Sequence, residues 1–184
     1  VDAIDHLAAL SNDPLGEIAP NLTDEINLGG TIRLATFARA AGVRRFVFGS
    51  SVAARPGALN RYGRIKHAIE KMLSGPVEIA ARIGMVYGGR SASQWGTLVR
   101  LSRLPVLPML EPGKAVQPIH LDDLCEGLIR LAMRPTLART IYGLCDARTT
   151  TLGDILRTIA WIKHDSTLRI LPIPARFALA LVDG

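Results

Sequence analysis

The chain has 184 residues, of which 48% are hydrophobic and 21% are charged, and its formal net charge is +6. This balance predicts a folded globular domain and excludes a disordered chain. No apolar run reaches the ~18 residues that a membrane span needs, and the start, VDAIDHLAAL, lacks the basic leader of a signal peptide. We therefore expect no membrane partner. The cations are scattered and are not interleaved with aromatic residues, so we expect no nucleic-acid partner either.

The first half of the chain alternates predicted strands and helices. They are a strand in 2–10, a loop over 11–21, a helix over 22–41 that ends at Gly42, a buried strand over 44–51, a helix over 61–73 and a strand over 77–88. Gly42 stands where a helix commonly ends in a left-handed residue. This order of elements predicts a parallel sheet with helices on its faces, the α/β class.

The second half is less regular. Its pattern predicts a helix over 93–104, a proline-rich loop over 105–113, an extended piece over 115–121, a helix over 122–134, a strand over 140–145 and a helix over 151–162. Thr151 and Asp154 resemble a capping box at the start of the last helix. Cys125 and Cys145 fit no metal-binding or redox spacing, so we expect reduced thiols packed in the core of a cytoplasmic protein.

Tyr62 and Lys66 are four residues apart in the segment 61–73, RYGRIKHAIEKML. On spacing alone they are either a proton-transfer pair or two surface residues of an amphipathic helix. A helix that begins near Arg61 puts both side chains on one face. Ser51 ends the preceding strand, and ligands of open α/β sheets bind at the carboxyl ends of the strands. The three side chains could therefore converge on one crevice.

Five motifs follow one another along the chain. They are DAIDHLAAL, INLGGT with RRFVFGSS behind it, YGRIK, ARIGMVYG and IHLDDL. In this order they resemble the extended branch of the short-chain dehydrogenase/reductases, the NAD-dependent epimerase/dehydratase family. The resemblance implies one incomplete, N-terminally truncated NAD(P)-binding Rossmann-like domain over 1–184. It also implies a small substrate-binding lobe built from segments at about 85–118 and 145–184.

The resemblance implies catalytic roles for Ser51, Tyr62 and Lys66. Tyr62 exchanges a proton with a substrate hydroxyl, Lys66 lowers the pKa of Tyr62 and holds ribose hydroxyls, and Ser51 hydrogen-bonds the substrate oxygen. Lowering a tyrosine pKa by ~3 units requires ~4 kcal/mol. An ammonium ~5 Å away supplies ~3 kcal/mol at an effective dielectric constant near 20, and an oxidised nicotinamide adds a second positive charge.

The resemblance also implies a cofactor, NAD or NADP. The residues that correspond to its binding positions are Leu7, Ala8, Ala9, Asn27, Ser50, Tyr62, Lys66, Ile83 and Gly84. Two alternatives stay open: the small residues after the first strand equally suit strand–helix packing, and Asn27 equally suits a cap or kink in its own helix. His6, His120 and Asp123 are more often structural than catalytic in such positions. No metal site is expected.

The chain departs from the family pattern in two places. No glycine-rich dinucleotide fingerprint and no acidic ribose-selecting residue are present, so the choice between NAD and NADP cannot be read. The chain also begins without Met, which suggests a fragment. The second departure is at Val116 and Gln117, which stand where sugar-nucleotide epimerases carry a diphosphate-binding arginine. Arg90, Arg100 and Arg103 are candidate substitutes.

The expected function is therefore an NAD(P)-dependent epimerase, dehydratase or reductase that acts on a hydroxyl or keto group of a small molecule, with a nucleotide-sugar as the leading candidate. The alternative is a catalytically inactive binding or scaffold subunit with the same fold. The resemblance also implies a homodimer of the complete protein, packed through helices 22–41 and 61–73.

The 184-residue chain by itself is expected to bind NAD or NADP weakly and to aggregate. The sequence offers no glycine-rich turn for the pyrophosphate, and its first strand would expose an unpaired edge. Calorimetric titration of the chain with each dinucleotide tests this expectation. Micromolar or tighter affinity from monodisperse protein would contradict it.

Overall fold

The structure is a computed structural model that describes residues 1–10, 19–74, 77–89 and 94–174. Contacts divide the chain into two compact units. Unit 1 comprises Val1–Gly84 and Ile119–Cys145, and unit 2 comprises Met85–Pro118 and Asp146–Gly184.

Unit 1 contains the parallel sheet that the order of elements predicts. Its strands are β1 (Ala3–His6), β2 (Arg45–Ser51), β3 (Glu78–Ile83) and β8 (Ile141–Leu144), in the spatial order β1-β2-β3-β8. All three pairings are parallel, with His6 opposite Phe48 and Ser51 opposite Ile83. The expected fold class, a Rossmann-like α/β sheet, is confirmed. Among the described strands, β1 lies at an edge of this sheet.

The helices of unit 1 follow the predicted segments with one difference. They are α1 (Pro20–Asp24), α2 (Gly30–Ala40), α3 (Arg61–Met72) and α5 (Leu121–Met133). The segment predicted as one helix over 22–41 contains a π-helical turn, Glu25–Gly29, between α1 and α2. Gly42 follows α2 with φ +66°, so the left-handed end of this helix is confirmed.

One apolar cluster of unit 1 lies between the sheet and helices α2 and α3. Phe46, Val47 and Phe48 of β2 are almost fully buried, because this strand has a neighbour on each side. Ile65 and Ile69 of α3 join Phe46 and Phe48 in one apolar cluster. Burial of large apolar side chains contributes roughly 1.5–3 kcal/mol each, so α3 is held on the sheet mainly by this contact.

Unit 2 contains short strands and two helices. They are β4 (Met85–Tyr87), α4 (Gln94–Leu101), β5 (Val106–Leu110), β6 (Ala115–Val116), β9 (Thr150–Thr151), α6 (Leu152–His164) and β10 (Arg169–Ile173); β7 (Pro118–His120) follows β6 in sequence. Strands β5 and β10 pair in parallel, and β6 and β9 pair antiparallel. Helices α4 and α6 pack on a second apolar cluster, which includes Leu98, Leu107, Leu156 and Ile170. Thr151 accepts a hydrogen bond from Asp154 N and caps α6, as its sequence predicts.

Two expectations are wrong in this part of the chain. The proline-rich segment 105–113 is not a loop, because its middle forms β5 with Leu107 buried in the apolar cluster. Neither cysteine is a core residue: Cys125 is exposed on α5, and Cys145 is half-buried just after β8. No helix of the described residues has the length and apolar character to cross a bilayer.

Gly63 lets α3 approach the loop that follows β2. A Cβ atom on Gly63 would lie 2.6 Å from the Ala53 carbonyl oxygen and 2.9 Å from Ala58 Cβ. Gly30, by contrast, has no foreign heavy atom closer than Glu25 O at 4.0 Å. The close approach of the start of α3 to this loop therefore requires a residue without a side chain at position 63.

Gly63→Ala is expected to lower the free energy of unfolding by about 1–3 kcal/mol, since the added methyl group forces the helix or the loop to move. The control Gly30→Ala is expected to raise it by up to about 1 kcal/mol through helix propensity. Urea unfolding of both variants of the full-length protein measures the difference. Equal midpoints for the two variants would contradict the close approach.

Candidate active site

The candidate site lies at the carboxyl edge of the sheet in unit 1, where β2 ends and α3 begins. Ser51 is the last residue of β2, and Tyr62 and Lys66 lie in the first two turns of α3. Asn60 caps α3 by accepting a hydrogen bond from Gly63 N at 3.0 Å. This cap begins the helix one residue before Arg61, so Tyr62 and Lys66 share one helical face as the sequence predicts.

The structure brings Tyr62 and Lys66 together. Lys66 Nζ lies 5.5 Å from the centroid of the Tyr62 ring and 4.4 Å from that of Phe48. The same ammonium donates a 2.5 Å hydrogen bond to the Gly49 carbonyl oxygen in β2. Lys66 therefore ties the helix that carries Tyr62 to the strand that carries Ser51.

Lys66 is a buried charge. Only 3% of the residue is exposed, and burial lowers the pKa of Lys66 from 10.5 to about 8. The ammonium is still the major form at neutral pH. Its remaining donors are available to other acceptors, because the ammonium has three N–H bonds and the Gly49 carbonyl takes one.

Ser51 and Ser50 have different surroundings. Ser51 Oγ accepts a hydrogen bond from Ala53 N at 3.2 Å, and its hydroxyl hydrogen remains able to donate elsewhere. Ser50 is buried, and its hydroxyl donates to Glu70 Oε1 at 2.6 Å. The two neighbouring hydroxyls therefore have separate partners, and the Ser50 hydroxyl is engaged inside the protein.

The segment after β1 passes close to β2. Leu7 and Ala8 are exposed and Ala9 is half-buried. A Cβ atom on Gly49 would lie 2.8 Å from Leu7 Cδ2 and 3.3 Å from the His6 carbonyl oxygen. Glycine at this position of β2 is therefore what admits the chain segment that leaves β1.

Asn27 holds the end of this segment. Its side-chain amide accepts from Leu10 N at 2.8 Å and donates to Leu10 O at 2.9 Å, while the residue itself is buried in the π-helical turn. Asn27 thus contacts a distant part of the chain, in addition to standing where the helix is irregular. π-Helical turns occur frequently at functional sites.

His6 lies on the same side of the sheet as Lys66. The Thr31 hydroxyl donates to the Asn27 carbonyl, so its oxygen accepts from His6 Nε2 at 2.9 Å. Burial and then the charge of Lys66 lower the pKa of His6, so the imidazole is neutral at pH 7. Its Nδ1 atom is the acceptor nitrogen in this tautomer.

Ile83, Gly84 and His120 have structural hydrogen-bond partners. The Ile83 carbonyl accepts from Val52 N, and Gly84 N donates to the Leu144 carbonyl. His120 caps α5 by accepting from Asp122 N, and Asp123 lies exposed in the first turn of that helix.

Two of the three candidate substitute arginines lie within the described residues. Arg100 is exposed and bonds Thr97, Arg103 is exposed, and Arg90 lies outside the described residues. Val116 packs against the apolar cluster of unit 2, and the Gln117 carbonyl accepts from Met85 N.

The sequence analysis missed Glu70. This carboxylate is buried beneath α3 and bonds Ser50 and Arg82. A sequence signal was present, since Glu70 follows Lys66 by four residues and so continues the face of Tyr62 and Lys66.

Comparison with known proteins agrees with this architecture. Residues 1–78 match the model of the "NAD dependent epimerase/dehydratase family". Among curated proteins, the chain is 32% identical over 167 residues to the Ceramide reductase of Caulobacter vibrioides. The aligned region covers 88% of this chain and 52% of that protein. The chain spans about half the length of the curated relatives that it matches.

Solved structures of several enzymes share the fold. The dTDP-4-dehydrorhamnose reductase of Bacillus anthracis in complex with NADP has a TM-score of 0.80 at 18% identity, with 96% of this chain and 67% of that chain covered. The UDP-glucose 4-epimerase of Thermotoga maritima with UDP-glucose has a TM-score of 0.74 at 18% identity, with 94% and 65% covered.

The buried ammonium makes stability depend on pH. The unfolded chain holds the Lys66 proton up to pH ~10.5, whereas the folded chain releases it near pH 8, so the contribution of Lys66 to stability rises with pH in this window. The difference in unfolding free energy, wild type minus Lys66→Met, is expected to increase by about 3 kcal/mol from pH 7.5 to 10.5. Urea unfolding of both full-length proteins across this range measures it. A difference that stays constant with pH would contradict the buried charge.

The motifs, the parallel sheet and these comparisons agree: the chain has the extended short-chain dehydrogenase/reductase fold, and its first 78 residues match the NAD dependent epimerase/dehydratase family.

Proposed function

We propose that the full-length protein is an NAD(P)-dependent oxidoreductase or epimerase that acts on a hydroxyl or keto group through Ser51, Tyr62 and Lys66. The observation that carries the proposal is the Lys66 ammonium, buried on the Gly49 carbonyl and 5.5 Å from the Tyr62 ring. A buried positive charge beside a phenol favours the phenolate, which is the form that accepts a proton.

Each residue has one task in this proposal. The Tyr62 phenolate takes the proton of the substrate hydroxyl in oxidation, and the phenol returns a proton to the carbonyl oxygen in reduction. The Ser51 hydroxyl donates to the same substrate oxygen and orients it. Lys66 stabilises the phenolate, and the donors that Gly49 leaves available suit ribose hydroxyls.

The candidate site suits a nicotinamide dinucleotide at its ribose end. Leu7, Ala8 and Ala9 follow β1 at the carboxyl edge of the sheet. Strand β1 is the neighbour of β2, and Leu7 lies close to Gly49. A bound nicotinamide dinucleotide supplies the acceptor or donor of the hydride. The related enzymes noted above include one solved with NADP. The pyrophosphate-binding glycine motif is not in this sequence, so the proposal concerns the full-length protein.

Two substrate classes have support. A nucleotide-sugar is suggested by structural relatives such as the UDP-glucose 4-epimerase, and by the family match. A long-chain lipid carbonyl or hydroxyl is suggested by the Ceramide reductase, which is more similar in sequence than these structures. The second class agrees with Val116 and Gln117, which cannot supply the charge for a diphosphate.

A scaffold subunit is the alternative function. The buried Lys66 speaks against it, because an ammonium kept out of water destabilises the protein unless another demand maintains it. A homodimer of the full-length protein is part of the proposal, and exposed apolar side chains on α1, the π-helical turn and α2 support it: Leu22, Ile26 and Phe37.

Tyr62→Phe in the full-length protein is expected to lower turnover by about 10²–10⁴-fold, since the proton donor and acceptor is lost, and to leave the dinucleotide Kd within about threefold. NAD(P)H absorbance reports net oxidation or reduction of UDP-sugars, their 4-keto derivatives and ceramide or its keto form in detergent, and chromatographic separation of the epimers reports epimerisation, which leaves no net NAD(P)H. The matched control is Tyr142→Phe, whose hydroxyl lies on β8 and accepts a hydrogen bond from Arg139 N at 2.9 Å, and it should retain activity. Full turnover of Tyr62→Phe would refute the catalytic role, and bound but redox-inactive dinucleotide with every substrate would favour the scaffold.

A further inference from the structure

Glu70 is a buried carboxylate that holds the last turns of α3 on two strands of the sheet. It accepts from Ser50 Oγ of β2 at 2.6 Å, and from Arg82 of β3 through Nε at 2.9 Å and Nη2 at 2.7 Å. His67 Nδ1 lies 3.6 Å from the same carboxylate. Only 1% of the Glu70 side chain is exposed. One helical residue thus joins α3, β2 and β3.

The carboxylate is charged in this setting. Burial would raise the pKa of Glu70, but the hydrogen bonds and charge of Arg82, with the Ser50 hydroxyl and His67, outweigh it and hold the pKa below its usual value. Removal of one partner of such a buried ion pair destabilises a protein strongly. Because any buried ion pair behaves in this way, what distinguishes Glu70 is its position relative to Tyr62 and Lys66.

Glu70 continues the face of α3 that carries the candidate catalytic residues. Tyr62, Lys66 and Glu70 follow each other at intervals of four residues, which is about one helical turn each. Lys66 bonds the carbonyl of Gly49, and Glu70 bonds the side chain of the next residue, Ser50. Consecutive residues of β2 thereby fix consecutive turns of α3, immediately before Ser51.

We propose that Glu70 is a positioning residue, which sets the register and distance of α3 on β2 so that Lys66 stays buried beside Tyr62. The catalytic consequence of this role rests on the proposed function, whereas the attachment of α3 to β2 and the burial of Lys66 do not. Without the Glu70 charge, the last turns of α3 lose their attachment to Arg82 and Ser50. The helix can then separate from β2, and water reaches the Lys66 ammonium.

Glu78 provides a matched control within the same unit. Its carboxylate is also buried and also takes a bidentate arginine, Arg39, at 2.5 and 2.7 Å, with a further hydrogen bond from Ser74 N. It stands at the first residue of β3, the opposite end of the strand from Ile83, and so outside the candidate site. Loss of its charge tests the general cost of breaking a buried ion pair.

The first experiment measures the ionisation of Lys66 in full-length Glu70→Gln, Glu78→Gln and wild type, below the unfolding transition of each. Competitive acetylation as a function of pH, read by mass spectrometry, gives the midpoint for Lys66 against Lys71, which is exposed on the same helix. Because burial is what lowers the Lys66 pKa, water entry should raise the midpoint by at least about one pH unit in Glu70→Gln. Glu78→Gln should stay at the wild-type midpoint. An unchanged midpoint in Glu70→Gln, or equal shifts in both variants, would overturn the proposal.

The second experiment separates this proposal from the catalytic one. If Tyr62→Phe is inactive, Glu70→Gln should lose about tenfold or more in kcat, and Glu78→Gln should remain within about twofold of wild type. Inactive Tyr62→Phe with wild-type kcat and Lys66 midpoint in Glu70→Gln would refute the positioning role alone. Active Tyr62→Phe would refute the proposed function, and the Lys66 midpoint would still decide the role of Glu70.

Arg82→Lys is the second variant, since it keeps the charge and loses the bidentate contact. It should shift the Lys66 midpoint in the same direction by a smaller amount. The double variant Glu70→Gln/Arg82→Lys should shift it no further than Glu70→Gln, because the two residues act through one contact. Additive shifts would contradict a shared attachment.

Discussion

The candidate site depends on the attachment of one helix to one buried strand. Helix α3 packs its apolar face on Phe46 and Phe48, and two charged side chains on the same helix bond consecutive residues of β2. The apolar contact supplies the stabilisation, while the polar contacts determine where along the strand the helix sits. These contacts therefore also determine the position of Tyr62, on the helix, relative to Ser51, on the strand.

The parallel sheet and most helices could be predicted because the local spacing of apolar residues indicates each strand and helix. A run of buried residues such as β2 reads as a central strand, and the Tyr62–Lys66 spacing reads as one helical face. Strand β5 was missed because Pro105 and Pro108 interrupt its pattern, and because its pairing partner, β10, lies more than sixty residues away in sequence. Cys125 was misassigned because its residue type favours burial, whereas its position on α5 faces outward.

The polar part of the site was only half predictable. Lys66 and Tyr62 are identified by spacing and by family resemblance, but the burial that changes the Lys66 pKa arises from Phe48 and Gly49 on another element. The spacing of four residues places Glu70 on the helical face of Tyr62 and Lys66, but its partners required tertiary structure, because both Ser50 and Arg82 are supplied by strands. Side-chain networks of this kind have no periodicity that a sequence alone reveals.

The π-helical turn before α2 has a consequence for how this segment tolerates change. It contains one residue more than an α-helical turn would, and residues beyond it are rotated by about 100° relative to an unbroken helix. Asn27 uses this turn to reach both polar atoms of the Leu10 backbone, as a neighbouring strand residue would, and Thr31 reaches His6 one turn later. A single-residue deletion within Glu25–Gly29 would therefore change the phase of all of α2 and separate Thr31 from His6, although a substitution on the exposed side of the same turn would leave the phase intact.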